Sequence, residues 1–146
     1  MQVIEVTDAG GAVVAPQWLA LAEGVHRQLR TALPADYAAT LRGVFRDGGR
    51  MCVAVDEEAV RGVAVYRTQT NTFSGRFLYV DDLVTDDRHR SQGVGRLLFD
   101  HIESRARELG CGSIQLDSGT QRQRAHKFYF REGMTISSFK FGKSLK

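Results

Sequence analysis

The chain is poor in cysteine, proline and long apolar runs, and each shortage closes off a class of protein. Its two cysteines, Cys52 and Cys111, are isolated, with no CxxC spacing. Neither a disulfide framework nor a zinc ribbon is expected, and both read as reduced core thiols. No window approaches the length of a membrane span, and no basic stretch leads into an apolar run at the N-terminus. A cytoplasmic protein without a membrane partner is therefore expected. The only prolines are Pro16 and Pro34. No Pro/Gly/Ser linker, repeat or low-complexity tract interrupts the chain, so residues 1–146 read as a single domain. The formal charge of +3 is mild. With no recognition helix or RNP-type aromatic motif, nucleic acid is not an expected partner.

What is present is an ordinary globular composition, 42% hydrophobic and 25% charged over 146 residues. That is enough chain to bury a core. VIEV (3–6) reads as a first strand. From Pro16, the recurrence of Trp18, Leu21, Val25 and Leu29 predicts a helix ended by Pro34, and Tyr37, Leu41 and Phe45 mark one face of a second. MCVAV (51–55) and RGVAVYRT (61–68) flank the turn DEEA, a hairpin pattern. RFLYVDDLVT (76–85) is a longer strand. A helix follows whose stripe is Val94, Leu97, Leu98, His101, Ile102 and Arg105, with Gly110 as its stop. SIQLD (113–117) is a strand, QRQRAHKFYFRE (121–132) a helix ended by Gly133, and MTISSFKFGKSL (134–145) one or two closing strands. The fold class is α/β in the α+β sense: a mixed sheet, antiparallel through its hairpins and joined by one βαβ crossover.

RHRSQGVGRLLFDHI (88–102) sets two glycines where a charged loop becomes a helix. A helix amino end offers free N–H groups and the positive end of its dipole, glycine lets an anion approach, and arginines add charged donors. A tight turn with solvated arginines is the plain alternative. No P-loop pattern occurs. A dinucleotide fingerprint fails because Leu98 stands at its third glycine, and because the turn follows a hairpin rather than a first βαβ unit. The pattern that is complete is R-x-x-G-x-G, Arg90-Ser91-Gln92-Gly93-Val94-Gly95.

Here the chain resembles the GNAT superfamily of acetyl-CoA-dependent N-acetyltransferases. LVTDDRHRSQGVGRLL is similar to the family's fourth strand and pyrophosphate loop, and AHKFYFREGM (125–134) to its A-x-x-F-Y-x-x-x-G-F motif, with Met134 in place of Phe. The resemblance implies a mostly antiparallel twisted sheet of six or seven strands flanked by about four helices. It implies acetyl-CoA as acyl donor, with Arg90, Ser91, Gln92, Gly93, Val94, Gly95 and Arg96 around the pyrophosphate. The backbone of Leu83, Val84 and Thr85 would bond the pantetheine arm beside a bulge in the fourth strand. Arg122 stands where the family often has Asn, and its guanidinium could serve a phosphate instead. Family analogy also suggests a homodimer through the C-terminal strands.

Amide formation from a thioester requires loss of the amine proton, stabilisation of a tetrahedral oxyanion and protonation of the departing thiolate. The resemblance makes Tyr129 the acid, and the backbone N–H of Leu83 or Val84 the oxyanion donor. For the base or amine-orienting group, Asp82 and Asp117 rank equally and Asp81 behind them. Asp81 and Asp82 are adjacent in a strand and so expected on opposite faces, Asp82 with Val80 and Val84. His26 and His89 read as surface residues, and Phe128 as core. His101 and His126 show no metal-ligand companions, so no metal is expected. Neither cysteine falls in a motif, which favours direct attack in a ternary complex over a ping-pong route. The acceptor, a small-molecule or protein amine, is not specified. The competing reading is a non-catalytic acyl-CoA-binding module.

Overall fold

The computed structural model describes residues 1–146. They pack as two units, Met1–Gln115 and Leu116–Lys146. The first holds β1 (Gln2–Glu5), α1 (Pro16–Leu29), α2 (Tyr37–Arg46), β2 (Arg50–Asp56), β3 (Ala59–Asn71), β4 (Gly75–Thr85), a 3-10 turn (Asp87–His89) and α3 (Val94–Glu108). Strand β5 (Ile114–Leu116) runs out of it, and α4 (Gln123–Arg131) belongs to the second.

The strands form one sheet in chain order, β1 to β5. The first four are antiparallel. Just ahead of β5, Gly112 N donates to Arg76 O of β4 and Leu78 N of β4 to Ser113 O. The two bonds advance in the same direction along both chains, so this pair is parallel, as a crossover through α3 requires. The result is the mixed sheet read from the sequence.

One face carries Met51, Val53, Val55, Val63 and Val65, packed with Leu19, Ala22 and Val25 of α1 and Tyr37, Leu41 and Phe45 of α2. The α2 face is as its periodicity predicts, and Asp36 caps the helix by accepting from Ala39 N at 3.0 Å. Helix α1 is rotated from expectation. Its buried residues are Leu19, Ala22, Val25 and His26, while Leu21 is 54% exposed. The cause is a polar one: His26 turns inward to meet Asp82, which an apolar periodicity does not register.

Strand alternation sends Cys52, Ala54, Gly62 and Ala64 to the other face, where α3 buries Val94, Leu98 and Ile102. Small residues let the helix approach closely. A Cβ on Gly62 would lie 2.7 Å from Val94 Cγ1 and 2.8 Å from Leu98 Cδ1. Burying Leu98 and Ile102 completely stabilises this layer by about 1.5–3 kcal/mol each.

The strand count is lower than the resemblance implied, five rather than six or seven. Residues 134–146 form no strand. Phe139 is 84% and Phe141 94% exposed, so their alternation with Lys140 goes unused. A β pattern is realised only against a neighbouring strand, and this segment has none.

Candidate active site

Strand β4 is bulged. Val65 pairs with Asp82 but Tyr66 with Val80, which leaves Asp81 as an extra residue. The bulge corrects the expected facing. Val80 shares a face with Tyr66, whereas Asp82 shares one with Val65 and Val84. Both carboxylates consequently reach the α1–α2 side. Asp81 binds Arg67 at 2.6 Å, a residue that also touches Asp47 at the end of α2. Asp82 binds His26 Nε2 at 2.7 Å through one oxygen and Arg30 at 2.6 Å through the other.

His26 is not a surface residue. It is 1% exposed, with Nδ1 2.8 Å from the Tyr37 hydroxyl. Burial, with Glu23 and Asp82 adding to it, pushes the Tyr37 phenol far above its ordinary value, so that hydroxyl stays protonated beside Nδ1. An ionised carboxylate only accepts, so Nε2 carries the proton of the His26–Asp82 bond. Burial alone would raise the Asp82 carboxyl, but the bonds and charges of His26 and Arg30 outweigh it and hold the pKa below its ordinary value.

Beyond the bulge, β4 ends against α1. Gln28 donates to Asp86 Oδ1 at 3.2 Å and accepts from Asp87 N at 2.9 Å. Asp86 N donates to Arg61 O of β3 at 2.8 Å. In an antiparallel ladder consecutive residues serve opposite edges. Val84 therefore also turns its backbone groups toward β3, and Leu83 and Thr85 turn theirs to the other edge. On that side β5 supplies 3 residues against the 11 of β4.

The 3-10 turn leads through Arg90 to Ser91 at φ +64° and Gly93 at φ +82°. Gly93 is the N-cap of α3, which has neither a capping side chain nor an acidic residue in its first turn. Val94 is buried and anchors the turn, while Arg90, Ser91, Gln92, Gly93 and Arg96 are exposed. The first amides of α3 thus have no side-chain cap and lie among arginines, the chemistry that suits an anion.

In the second unit, Tyr129 is half-buried on α4, with the Phe128 ring edge-on at 5.6 Å and its carbonyl accepting from Met134 N at 3.0 Å. Phe128 is likewise half-buried rather than core. Asp117 is exposed, with Lys140 Nζ 3.8 Å away. Arg122 is the N-cap residue of α4, and its side chain makes no capping bond. His126 bonds the Ser118 hydroxyl at 3.1 Å.

Two groupings escaped sequence reading. The His26–Tyr37 pair gave no signal because His26 occupies a position that apolar periodicity skips. Glu5, Cys52 and His101 converge from β1, β2 and α3, and no local spacing joins them.

The Acetyltransferase (GNAT) family model matches residues 16–134. The chain is 35% identical over 119 residues to the uncharacterized N-acetyltransferase YhdJ of Bacillus subtilis (strain 168), covering 80% of this chain and 84% of that protein. It is 36% identical over 66 residues to the aminoalkylphosphonate N-acetyltransferase of Salmonella typhimurium (strain LT2), covering 45% and 43% of the two. A solved structure of AAC(6')-Iy in complex with the bisubstrate analog CoA-S-monomethyl-acetylneamine superposes with a TM-score of 0.80 at 14% identity, over 99% of this chain and 97% of that one. A bulged β4, an uncapped glycine turn opening α3 and a family match across both motifs agree, and the chain belongs to the GNAT family of N-acetyltransferases.

Proposed function

We propose that residues 1–146 act as one domain that transfers an acetyl group from acetyl-CoA to a primary amine by direct attack in a ternary complex. The observation that carries this reading is the uncapped amino end of α3 behind Arg90-Ser91-Gln92-Gly93-Val94-Gly95. The amides from Gln92 to Arg96 hold the pyrophosphate, with Arg90, Arg96 and Arg122 supplying charge. Leu83, Val84 and Thr85 guide the pantetheine arm. The outward-turned backbone of Leu83 favours its N–H over that of Val84 as the oxyanion donor.

The amine attacks the thioester carbonyl, the oxyanion forms against that N–H, and collapse breaks the C–S bond. Tyr129 protonates the departing thiolate; a phenol near pKa 10 against a thiol near 8.5 makes this uphill by about 2 kcal/mol, closed by coupling to the collapse. No carboxylate can strip an ammonium outright, since pKa values near 3.9 and 10.4 differ by about 9 kcal/mol. Only the neutral amine has a lone pair, so water takes the first proton before attack, and the second leaves as the C–N bond forms and the nitrogen turns acidic. Asp82, held ionised by His26 and Arg30, suits the role of orienting the positively charged amine. Asp117 takes the role of proton acceptor.

A cytoplasmic location and a homodimer complete the proposal. Release of coenzyme A thiol over a panel of small-molecule and peptide amines tests it. Turnover should fall by about 10²–10⁴-fold in Tyr129→Phe. Full turnover in that variant refutes the acid role, and acetyl-CoA binding with no transfer to any amine makes the protein a binding module.

A further inference from the structure

On the α3 face of the sheet, Glu5, Cys52 and His101 offer a carboxylate oxygen, a sulfur and an imidazole nitrogen within 4.8 Å of one another. The grouping follows from the fold. Glu5 and Cys52 are directly paired across β1 and β2, so both side chains leave the sheet on the same side. His101, one residue before the buried Ile102, reaches down from α3, and its Nε2 lies 2.7 Å from Glu5 Oε1. We infer that these three residues form a binding site for a thiophilic divalent cation of the zinc class, which staples α3 to the β1–β2 edge.

The donor set selects the class of ion. Sulfur with imidazole and carboxylate suits zinc and disfavours magnesium and calcium, which take oxygen alone. Zinc bonds of about 2.0–2.3 Å in a tetrahedron set the ligand atoms roughly 3.3–3.7 Å apart. The 2.7 Å Glu5–His101 contact must open by about half an ångström, and no separation, all being within 4.8 Å, need close by more than about 1.5 Å.

Charge and access agree. On loading, the Cys52 thiol releases its proton to solvent. A thiolate and a carboxylate then neutralise the ion, with His101 giving a neutral lone pair. Arg105, 3.8 Å from Glu5, has its own carboxylate in Glu108 at 2.7 Å, so its charge is already matched. The Tyr66 hydroxyl donates to Glu5 Oε1 at 3.0 Å and Oε2 at 3.2 Å, which orients the carboxylate as outer-shell partners of metal ligands do. A cavity of about 480 Å³ opens onto Glu5, Tyr66, His101 and Arg105, and gives a cation a route to the carboxylate and the imidazole. None of the three ligands belongs to the proposed transfer machinery, so the ion's role is structural.

Cobalt titration of the chelator-treated, folded protein provides the test. The expected result is one equivalent of Co²⁺ giving a sulfur-to-cobalt charge-transfer band and intense tetrahedral d–d bands, both bleached by Zn²⁺. Cys52→Ser should abolish the charge-transfer band and Cys111→Ser leave it intact, while His101→Gln should weaken binding by roughly tenfold or more. Should Cys52→Ser fail to fold, His101→Gln decides alone, because its side chain is 27% exposed. Wild-type protein that shows no such bands, or bands that survive in both Cys52→Ser and His101→Gln, would overturn the inference.

Discussion

His26 Nε2 lies 2.7 Å from Asp82 Oδ2, although 56 residues separate them, and this bond fixes α1 on the bulged stretch of β4. It explains why α1 buries a histidine in place of its expected apolar stripe. It also ties the carboxylate beside the bulged residue to a buried phenol through one imidazole.

The two partners of Asp82 should not be equal. Asp82→Asn leaves a buried imidazole facing an amide and removes the charge opposite Arg30, at a cost of about 2–4 kcal/mol. Arg30→Gln removes the half-exposed partner and should cost under about 1 kcal/mol. Urea unfolding of both variants, with kcat measured beside it, checks the ordering; turnover should fall further in Asp82→Asn.

Gly93 adopts φ +82°, and a Cβ there meets nothing within 4 Å. The cost of Gly93→Ala is therefore conformational, about 1–2 kcal/mol. Because that residue aims the first amides of α3, acetyl-CoA affinity should weaken by roughly tenfold for each 1.4 kcal/mol of binding energy lost. Calorimetry reads the affinity and thermal unfolding the stability.

At Gly62 the obstacle is space. An added Cβ would stand 2.7 Å from Val94 Cγ1 and 3.2 Å from the Val84 carbonyl. Gly62→Ala should destabilise by about 1–3 kcal/mol as α3 is forced off the sheet. Thermal denaturation checks it.

Asp86 is 1% exposed. Burial by itself would raise its pKa, but bonds from Gln28 and Arg88 prevail and hold it at about 2. A carboxyl depressed in the folded state stabilises above its unfolded pKa of about 3.9 and loses that contribution as pH falls through the folded value. Between about pH 4 and pH 2 it should cost about 2 kcal/mol, visible in urea unfolding across that window and absent in Asp86→Asn.

The β2–β3 hairpin, the α2 face and the glycine turn were legible because each is a local pattern: alternation around an acidic turn, a helical stripe, a charged loop entering a helix. The facing of Asp81 and Asp82 was not, because one bulged residue reverses every parity count beyond it. The α1 rotation was hidden for a similar reason, since the partner that turns His26 inward lies on β4. Closing strands were expected from the alternation of Phe139, Lys140 and Phe141, and alternation cannot supply the neighbour a strand needs. Glu5, Cys52 and His101 meet only once the sheet and α3 have formed.

The most direct measurement is isothermal titration of the wild-type protein with acetyl-CoA, with NADPH and ATP as controls and Gly93→Ala in parallel. Selective acetyl-CoA binding that weakens in Gly93→Ala is the predicted result. A folded protein that takes up no acetyl-CoA, or binds all three ligands alike, would contradict the assignment of the glycine turn to the coenzyme's pyrophosphate.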